Sequence, residues 1–148
     1  MSFDTPIQTI GTIALLMACG YAFLRGGGPE RLAAALIFTA WCATPLVQNH
    51  DALRHAQYAV FALDGVLTLA LLGVALANDR FWPIWVTAFQ LLELLMHAAM
   101  LIDHGVRPRA YWIGMEIWSY LVLVALLVGT WLEAPRRSRR SSSVSTAS

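Results

Sequence analysis

Apolar runs separated by short polar or charged segments divide the chain into five candidate helices. At about 1.5 Å of helical rise per residue, runs of this length are typical of helices that cross a bilayer. The runs cover residues 7–24, 32–47, 58–77, 83–102 and 110–132. The pattern predicts an all-α protein, an integral membrane bundle of about five transmembrane helices. The second run is the shortest, and Pro45 is expected to break or kink its far end.

The segments between the runs carry signals that end helices. Residues 26–29, Gly-Gly-Gly-Pro, follow the first run and are expected to form a turn that cannot continue a helix. A polar loop from residue 48 to residue 55 follows the second run, and residues 78–80, Asn-Asp-Arg, follow the third. A charged turn over residues 103–109 precedes the fifth run.

Composition supports membrane insertion. The 148 residues are 58% hydrophobic and only 13% charged, with a mean hydropathy of +0.60, whereas a soluble domain carries about a quarter charged residues. All ten cationic residues are Arg, and the net charge is +1, so the sequence does not support nucleic-acid binding. The two cysteines, Cys19 and Cys42, lie in apolar runs, and we expect no disulfide.

The last residues differ from the rest in composition. Residues 135–148 contain four Arg and are rich in Ser, which predicts a disordered tail that attracts anionic lipids. Five spans place the two termini on opposite sides of the membrane. Without the tail, three Arg flank the spans on each side: Arg25, Arg31 and Arg80 against Arg54, Arg107 and Arg109. The tail breaks this tie and predicts a cytoplasmic C-terminus.

The fourth run carries polar residues on one face. Gln90, Glu93 and His97 fall within roughly 60° of arc at about 100° per residue. Such a stripe turns toward protein or water rather than lipid. Asp64 and Glu116 each lie six residues inside the outer end of their own runs, at about 9 Å of depth. We therefore expect a polar cluster in the outer leaflet, formed by Asp64, Gln90, Glu93, His97 and Glu116.

Three interpretations of this cluster stay open. The side chains could hold the helices together as interhelical hydrogen bonds. They could line a water-filled vestibule or a small-ligand pocket, or they could bind a metal or relay protons. A bundle di-iron site needs Glu-x-x-His twice, whereas the spacing from Glu93 to His97 occurs once and is one residue longer. No catalytic motif is recognisable, so we assign no catalytic residues and no cofactor, and we leave a metal open.

One segment carries a resemblance. Residues 79–85, with the sequence DRFWPIW, are followed by Gln90 and His97. This arrangement resembles small multi-pass inner-membrane proteins from bacteria that have no assigned activity. The similarity covers residues 58–132 and implies a multi-pass helical fold in the bacterial inner (cytoplasmic) membrane. It implies no activity, substrate or protein partner.

The leading functional hypothesis is a small, non-catalytic accessory or ligand-sensing membrane subunit, whose first partner is the lipid bilayer. A second hypothesis is a proton-coupled carrier or a metal-dependent membrane enzyme that uses Asp64, Glu93, His97 and Glu116. A third is a holin-like pore former, suggested by the small size and the basic tail. Side chains that converge on one site would favour the first two hypotheses over the third.

Overall fold

The structure is a computed structural model that describes residues 6–47, 53–102 and 108–145. Within these ranges the chain is helical and has no strand. The five helices are α1 (Pro6–Arg25), α2 (Gly28–Val47), α3 (Leu53–Leu76), α4 (Trp82–Ile102) and α5 (Pro108–Ser145). The predicted all-α class is confirmed.

The turn between α1 and α2 is shorter than the sequence predicts. Only Gly26 and Gly27 separate the helices, and Gly28 and Pro29 already belong to α2. Proline is tolerated in the first turn of a helix because no intrahelical partner exists there for its missing N–H. The Gly27 N–H donates to Glu30 Oε2 at 2.8 Å, and the Arg31 N–H donates to the Gly27 carbonyl at 2.9 Å. Gly27 is therefore the N-cap, and Glu30 closes a capping box three residues later.

Two other predicted boundaries also differ from the structure. α2 ends at Val47, where the second run was predicted to end, and Pro45 lies inside the helix without breaking it. α3 begins at Leu53, so Arg54 and His55 belong to a helix rather than to the predicted loop. α5 continues past Pro135 to Ser145, where a disordered tail was predicted. A proline inside a helix removes one backbone donor but need not end the helix, and Arg is among the good helix formers.

The helices pack as a ring in chain order. α1 contacts α2, α2 contacts α3, α3 contacts α4, α4 contacts α5, and α5 closes the ring on α1. α2 also contacts α5 across the middle. Because short connections reverse the chain at each step, α1 and α5 run in the same direction side by side. The ring therefore brings the start of α2, the start of α4 and the later part of α5 to one end.

The outer surface of the ring is apolar. Three helical segments are long and apolar enough to cross a membrane: Tyr58–Leu76, Trp82–Ile102 and Ile113–Ala134. Only 33%, 22% and 28% of the apolar windows in these segments are buried inside the bundle. The rest faces outward, far beyond the apolar patch that a soluble monomer usually exposes. α1 adds a shorter apolar segment, Thr9–Arg25.

Small side chains let the helices approach each other. Ala18, Ala22, Ala33 and Ala34 are fully or almost fully buried where α1 meets α2, as is typical of membrane helix interfaces. Cys19 is free and buried nearby, and Cys42 is free and exposed, which confirms the absence of a disulfide.

Gly129 makes a close approach between α4 and α5 possible. A methyl group at this position would lie 2.5 Å from Cγ of Trp82. Trp82 is only 7% exposed, so its indole ring occupies the space that a side chain at position 129 would need. The first residue of α4 is thereby packed against α5.

We expect Gly129→Ala to destabilise the bundle by about 1–3 kcal/mol, because the added methyl group forces the buried indole of Trp82 to move. The measurement is unfolding of the purified protein in detergent, followed by circular dichroism. Gly73→Ala is the matched control, since a methyl group there meets nothing within 4 Å. Equal stability of the two variants would contradict the packing described for Trp82.

Candidate functional site

The centre of the candidate site is a contact between α3 and α4. His97 Nε2 lies 2.9 Å from Asp64 Oδ2, and the two residues are 7% and 8% exposed. The separation is that of a hydrogen bond, but the contact does not meet the geometry of one. The contact is therefore an ion pair rather than an aligned hydrogen bond, and its strength depends on a proton on the imidazole.

Glu93 connects this pair to α5. It lies one helical turn before His97 on α4, and the Ser119 hydroxyl donates to Glu93 Oε1 at 2.5 Å. The Glu93 carboxylate also interacts electrostatically with Asp64 and His97. Asp64, Glu93, His97 and Ser119 thus form one unit across three helices, which we name the buried cluster. Ser119 is the member that sequence reasoning missed, because a lone Ser inside an apolar run carries no signal of its own.

The other two predicted site residues differ in placement. Gln90 is 3% exposed on α4, one turn before Glu93, so it lies on the predicted stripe. Glu116 is half-buried on α5, and the described residues show no contact between it and the buried cluster. Ser119 lies three residues after Glu116 on α5, and it is Ser119, not Glu116, whose side chain contacts Glu93. Depth along a helix is readable from sequence, but the rotation of α5 about its axis is set by packing.

The polar loop before α3 and the charged turn before α5 are described only in part. His50, Asp51, Asp103, His104 and Arg107 lie outside the described residues. Arg54, His55 and Arg109 belong to described helices, but their side chains lie outside what the structure describes.

The buried cluster is composed of groups that can bind protons. It contains one imidazole and two carboxylates, so its net charge changes with each proton that it gains or loses. Within the described residues, no group of three His, Cys, Asp or Glu side chains could hold a metal ion. Serine, carboxylate and imidazole also occur together in hydrolases, but here the Ser119 hydroxyl points to a carboxylate and not to the imidazole that a nucleophile needs.

A second ionic network lies at the opposite end of the bundle. Arg80, in the turn before α4, forms a short hydrogen-bonded ion pair with Glu30 of α2. Its guanidinium also lies 3.7 Å from Glu133 of α5. Glu30 is completely buried, whereas the Arg80 side chain is 28% exposed. We name Glu30, Arg80 and Glu133 the inner network.

The inner network was not predicted from the sequence. All three residues flank apolar runs on the same predicted side of the membrane. This common position along the membrane normal is the feature of the sequence that could have predicted their contact. Glu30 also serves as the capping residue of α2, so one buried carboxylate binds both the Gly27 N–H and the guanidinium. Charged residues beside membrane spans are usually solvated. The contact of these three becomes visible only when the packing of α2, α4 and α5 is known.

No protein family, curated protein or solved structure matches this chain. Its functional interpretation therefore depends on its own residues and geometry.

Arg80→Ala should destabilise the protein by about 1–3 kcal/mol, because the fully buried Glu30 carboxylate loses a charged partner. Combining it with Glu30→Gln should cost less than the sum of the two single changes, since the pair acts as a unit. Thermal unfolding in detergent of the two single variants and the double variant measures this coupling. Asp79→Asn, at an exposed neighbouring position, is the control and should change little. Additive effects of Arg80→Ala and Glu30→Gln would show that the ion pair does not contribute to stability.

Proposed function

We propose that this chain is a small, non-catalytic membrane subunit that senses protonation through the buried cluster. The observation that carries the proposal is the contact of His97 with Asp64 at 2.9 Å, joined through Glu93 to Ser119 on α5. A proton gained or lost here changes the attraction between three helices at once. The sequence predicts a ligand-sensing subunit, and we propose that the ligand is the proton.

The physical basis is the cost of charge in a poorly polarisable interior. With the imidazole protonated and both carboxylates ionised, the cluster carries one net negative charge; one further proton neutralises it. Within the described residues, loss of the imidazole proton leaves the Asp64 and Glu93 carboxylates without the cation that they share, which is costly inside a bundle. The packing of α3 against α4 is therefore coupled to the number of bound protons.

The same geometry supports a sensor better than the other activities considered. A metal-dependent enzyme needs three or more ligands close enough together to coordinate one ion, and the described residues contain no such group. A pore former needs no converging acids, yet two carboxylates and an imidazole converge here. A purely structural role remains the competing explanation, and the following experiment separates it from sensing.

Glu93→Gln is expected to leave the fold intact and to weaken the dependence of thermal stability on pH between about pH 5 and 8, because it removes one of the two carboxylates that attract a protonated imidazole. His97→Ala should give the same phenotype. The wild-type profile should depend on pH, because the attraction between His97 and Asp64 requires a charged imidazole and a charged carboxylate. Melting temperatures in detergent over this range, with the infrared band of protonated carboxyl groups, provide the measurement.

Glu116→Gln is the matched control, since it removes a carboxyl group at a similar depth that has no described contact with the cluster. It should retain the wild-type pH profile. If the cluster only holds the helices together, Glu93→Gln changes stability by about 1 kcal/mol or less at every pH. A wild-type profile that is flat, or a Glu93→Gln profile parallel to it, would therefore reject the sensor.

The proposal includes the membrane topology expected from the sequence: five spans in a bacterial inner membrane, with a cytoplasmic C-terminus. Three long apolar helices and the ring packing support it. In that topology the buried cluster lies in the outer half of the bilayer and the inner network near the cytoplasmic face. The C-terminal arginines would lie near anionic lipids.

Reporter fusions at residues 2 and 148 should label opposite sides of the membrane, because an odd number of spans separates the termini. A reporter that is active only in the cytoplasm should respond at residue 148 and not at residue 2. An additional fusion in the turn at Asn78 should agree with residue 148, since the five-span topology puts this turn and the C-terminus on the same side of the membrane. Both termini on one side would rule out five spans.

A further inference from the structure

A small apolar cleft opens on the outer surface between α1 and α5. It has a volume of about 340 Å³ and is lined by Tyr21, Leu127, Val128 and Trp131. Val128 and Trp131 are 47% and 65% exposed, so the cleft faces away from the bundle core. It shares no residue with the buried cluster.

Positive charge lies next to this cleft. Arg25 is exposed and follows Tyr21 by one helical turn at the end of α1. Because α1 and α5 run in the same direction, the end of α5 that follows Trp131 lies at the same end of the bundle. That part of α5 continues into four further arginines at positions 136, 137, 139 and 140.

Other charged residues at this end of the bundle, two Glu and one Arg, have partners within the protein. Glu133 follows Trp131 by two residues, but its carboxylate lies 3.7 Å from the Arg80 guanidinium. Glu30 is fully buried against Arg80. The Nε of Arg31 donates to the Phe23 carbonyl at 3.1 Å. Arg25 is thus the cation beside the cleft that is placed to meet a ligand from the membrane.

We propose that this cleft binds one anionic phospholipid, with an acyl chain against Val128 and Tyr21 and the phosphate at Arg25. An apolar cleft on a membrane-facing surface fits a hydrocarbon chain, and a guanidinium matches phosphate through paired hydrogen bonds. Trp131 has an amphipathic ring of the kind that lies at the level of lipid headgroups. The inference needs the membrane insertion of α1 and α5 included in the proposed function, but it is independent of proton sensing.

Charge complementarity favours a lipid over a second copy of this chain. Two copies joined symmetrically through this face would bring their Arg25 side chains and their basic α5 ends close together, and like charges repel. An anionic headgroup neutralises the same residues. A zwitterionic lipid offers the same acyl chain without net charge, so comparing two headgroups isolates the contribution of Arg25.

The test is native mass spectrometry of the full chain in detergent, titrated separately with phosphatidylglycerol and phosphatidylcholine. We expect saturable binding of one phosphatidylglycerol and markedly weaker binding of phosphatidylcholine. Arg25→Gln should weaken phosphatidylglycerol binding about fivefold, which corresponds to roughly 1 kcal/mol for one Arg near an anionic membrane surface. Val128→Trp should abolish the saturable binding by filling the cleft.

Two controls separate the cleft from general attraction. Val124→Trp adds the same bulk one turn earlier on α5, at another exposed position that does not line the cleft, and should bind like the wild type. Replacing Arg136, Arg137, Arg139 and Arg140 with Gln in the full chain should leave the one-to-one stoichiometry intact. Circular dichroism confirms that each variant is folded, and Val128→Trp tests the cleft even if Arg25→Gln fails to fold.

Four results would overturn the proposal. Equal binding of the two lipids removes the role of Arg25, and unchanged binding by Val128→Trp removes the cleft. Loss of binding in the four-Arg variant alone assigns the lipid to the end of α5. Dimers that dissociate in Val128→Trp but not on lipid addition would identify a second copy as the occupant. None of these outcomes bears on the proposed proton sensing, which the pH profile of the buried cluster tests independently.

Discussion

Polar groups inside a membrane bundle must find their partners within the protein, because hydrocarbon offers no hydrogen bonds. This constraint explains the inside of the ring. The hydroxyls of Thr68, Thr87 and Thr130 are buried, and each donates to the carbonyl four residues earlier in its own helix at 2.7–2.8 Å. Such groups need no partner on a neighbouring helix. The charged side chains cannot be satisfied in this way, so they determine which helices must meet.

Two ionic groups at opposite ends satisfy this requirement. The inner network joins the start of α2, the turn before α4 and the later part of α5. The buried cluster joins α3, α4 and α5 about fifteen residues further along α4, or about 22 Å at helical rise. Fully or nearly fully buried apolar side chains, among them Leu71, Val86 and Leu126, fill the space between. The bundle therefore holds its charges at both ends of an apolar middle layer.

This division gives the two groups different properties. The inner network contains a guanidinium, which stays charged at every accessible pH, so its contacts persist when protons are exchanged. Among the described members of the buried cluster, the imidazole is the group that can carry a positive charge, and on the proposed function the attraction depends on its protonation. A bundle with one permanent and one proton-dependent set of contacts can loosen at one end while the other stays closed. The lipid-facing cleft lies at the end with the permanent contacts.

Helical periodicity and depth along the chain were enough to predict much of the buried cluster. Gln90, Glu93 and His97 share a face because a helix repeats every 3.6 residues, and Asp64 matches His97 in depth. The same reasoning placed Glu116 in the cluster, although Ser119 makes the contact from α5. The two residues are three positions apart, and the sequence carries no measure of how far α5 rotates about its axis. That rotation depends on packing, including the indole of Trp82 against Gly129.

The all-helical class, the apolar runs and the inward face of α4 followed from the sequence alone, because they depend on composition and on local periodicity. The closure of α5 onto α1, the meeting of Glu30 with Arg80 across fifty residues, and the cleft beside Tyr21 were decided only by the tertiary structure. The start of α2 at Gly28 and the end of α5 at Ser145 were also decided by the tertiary structure. Each depends on which helices become neighbours, and that choice is a balance of many packing and ionic contacts between residues far apart in the chain, which no local pattern records.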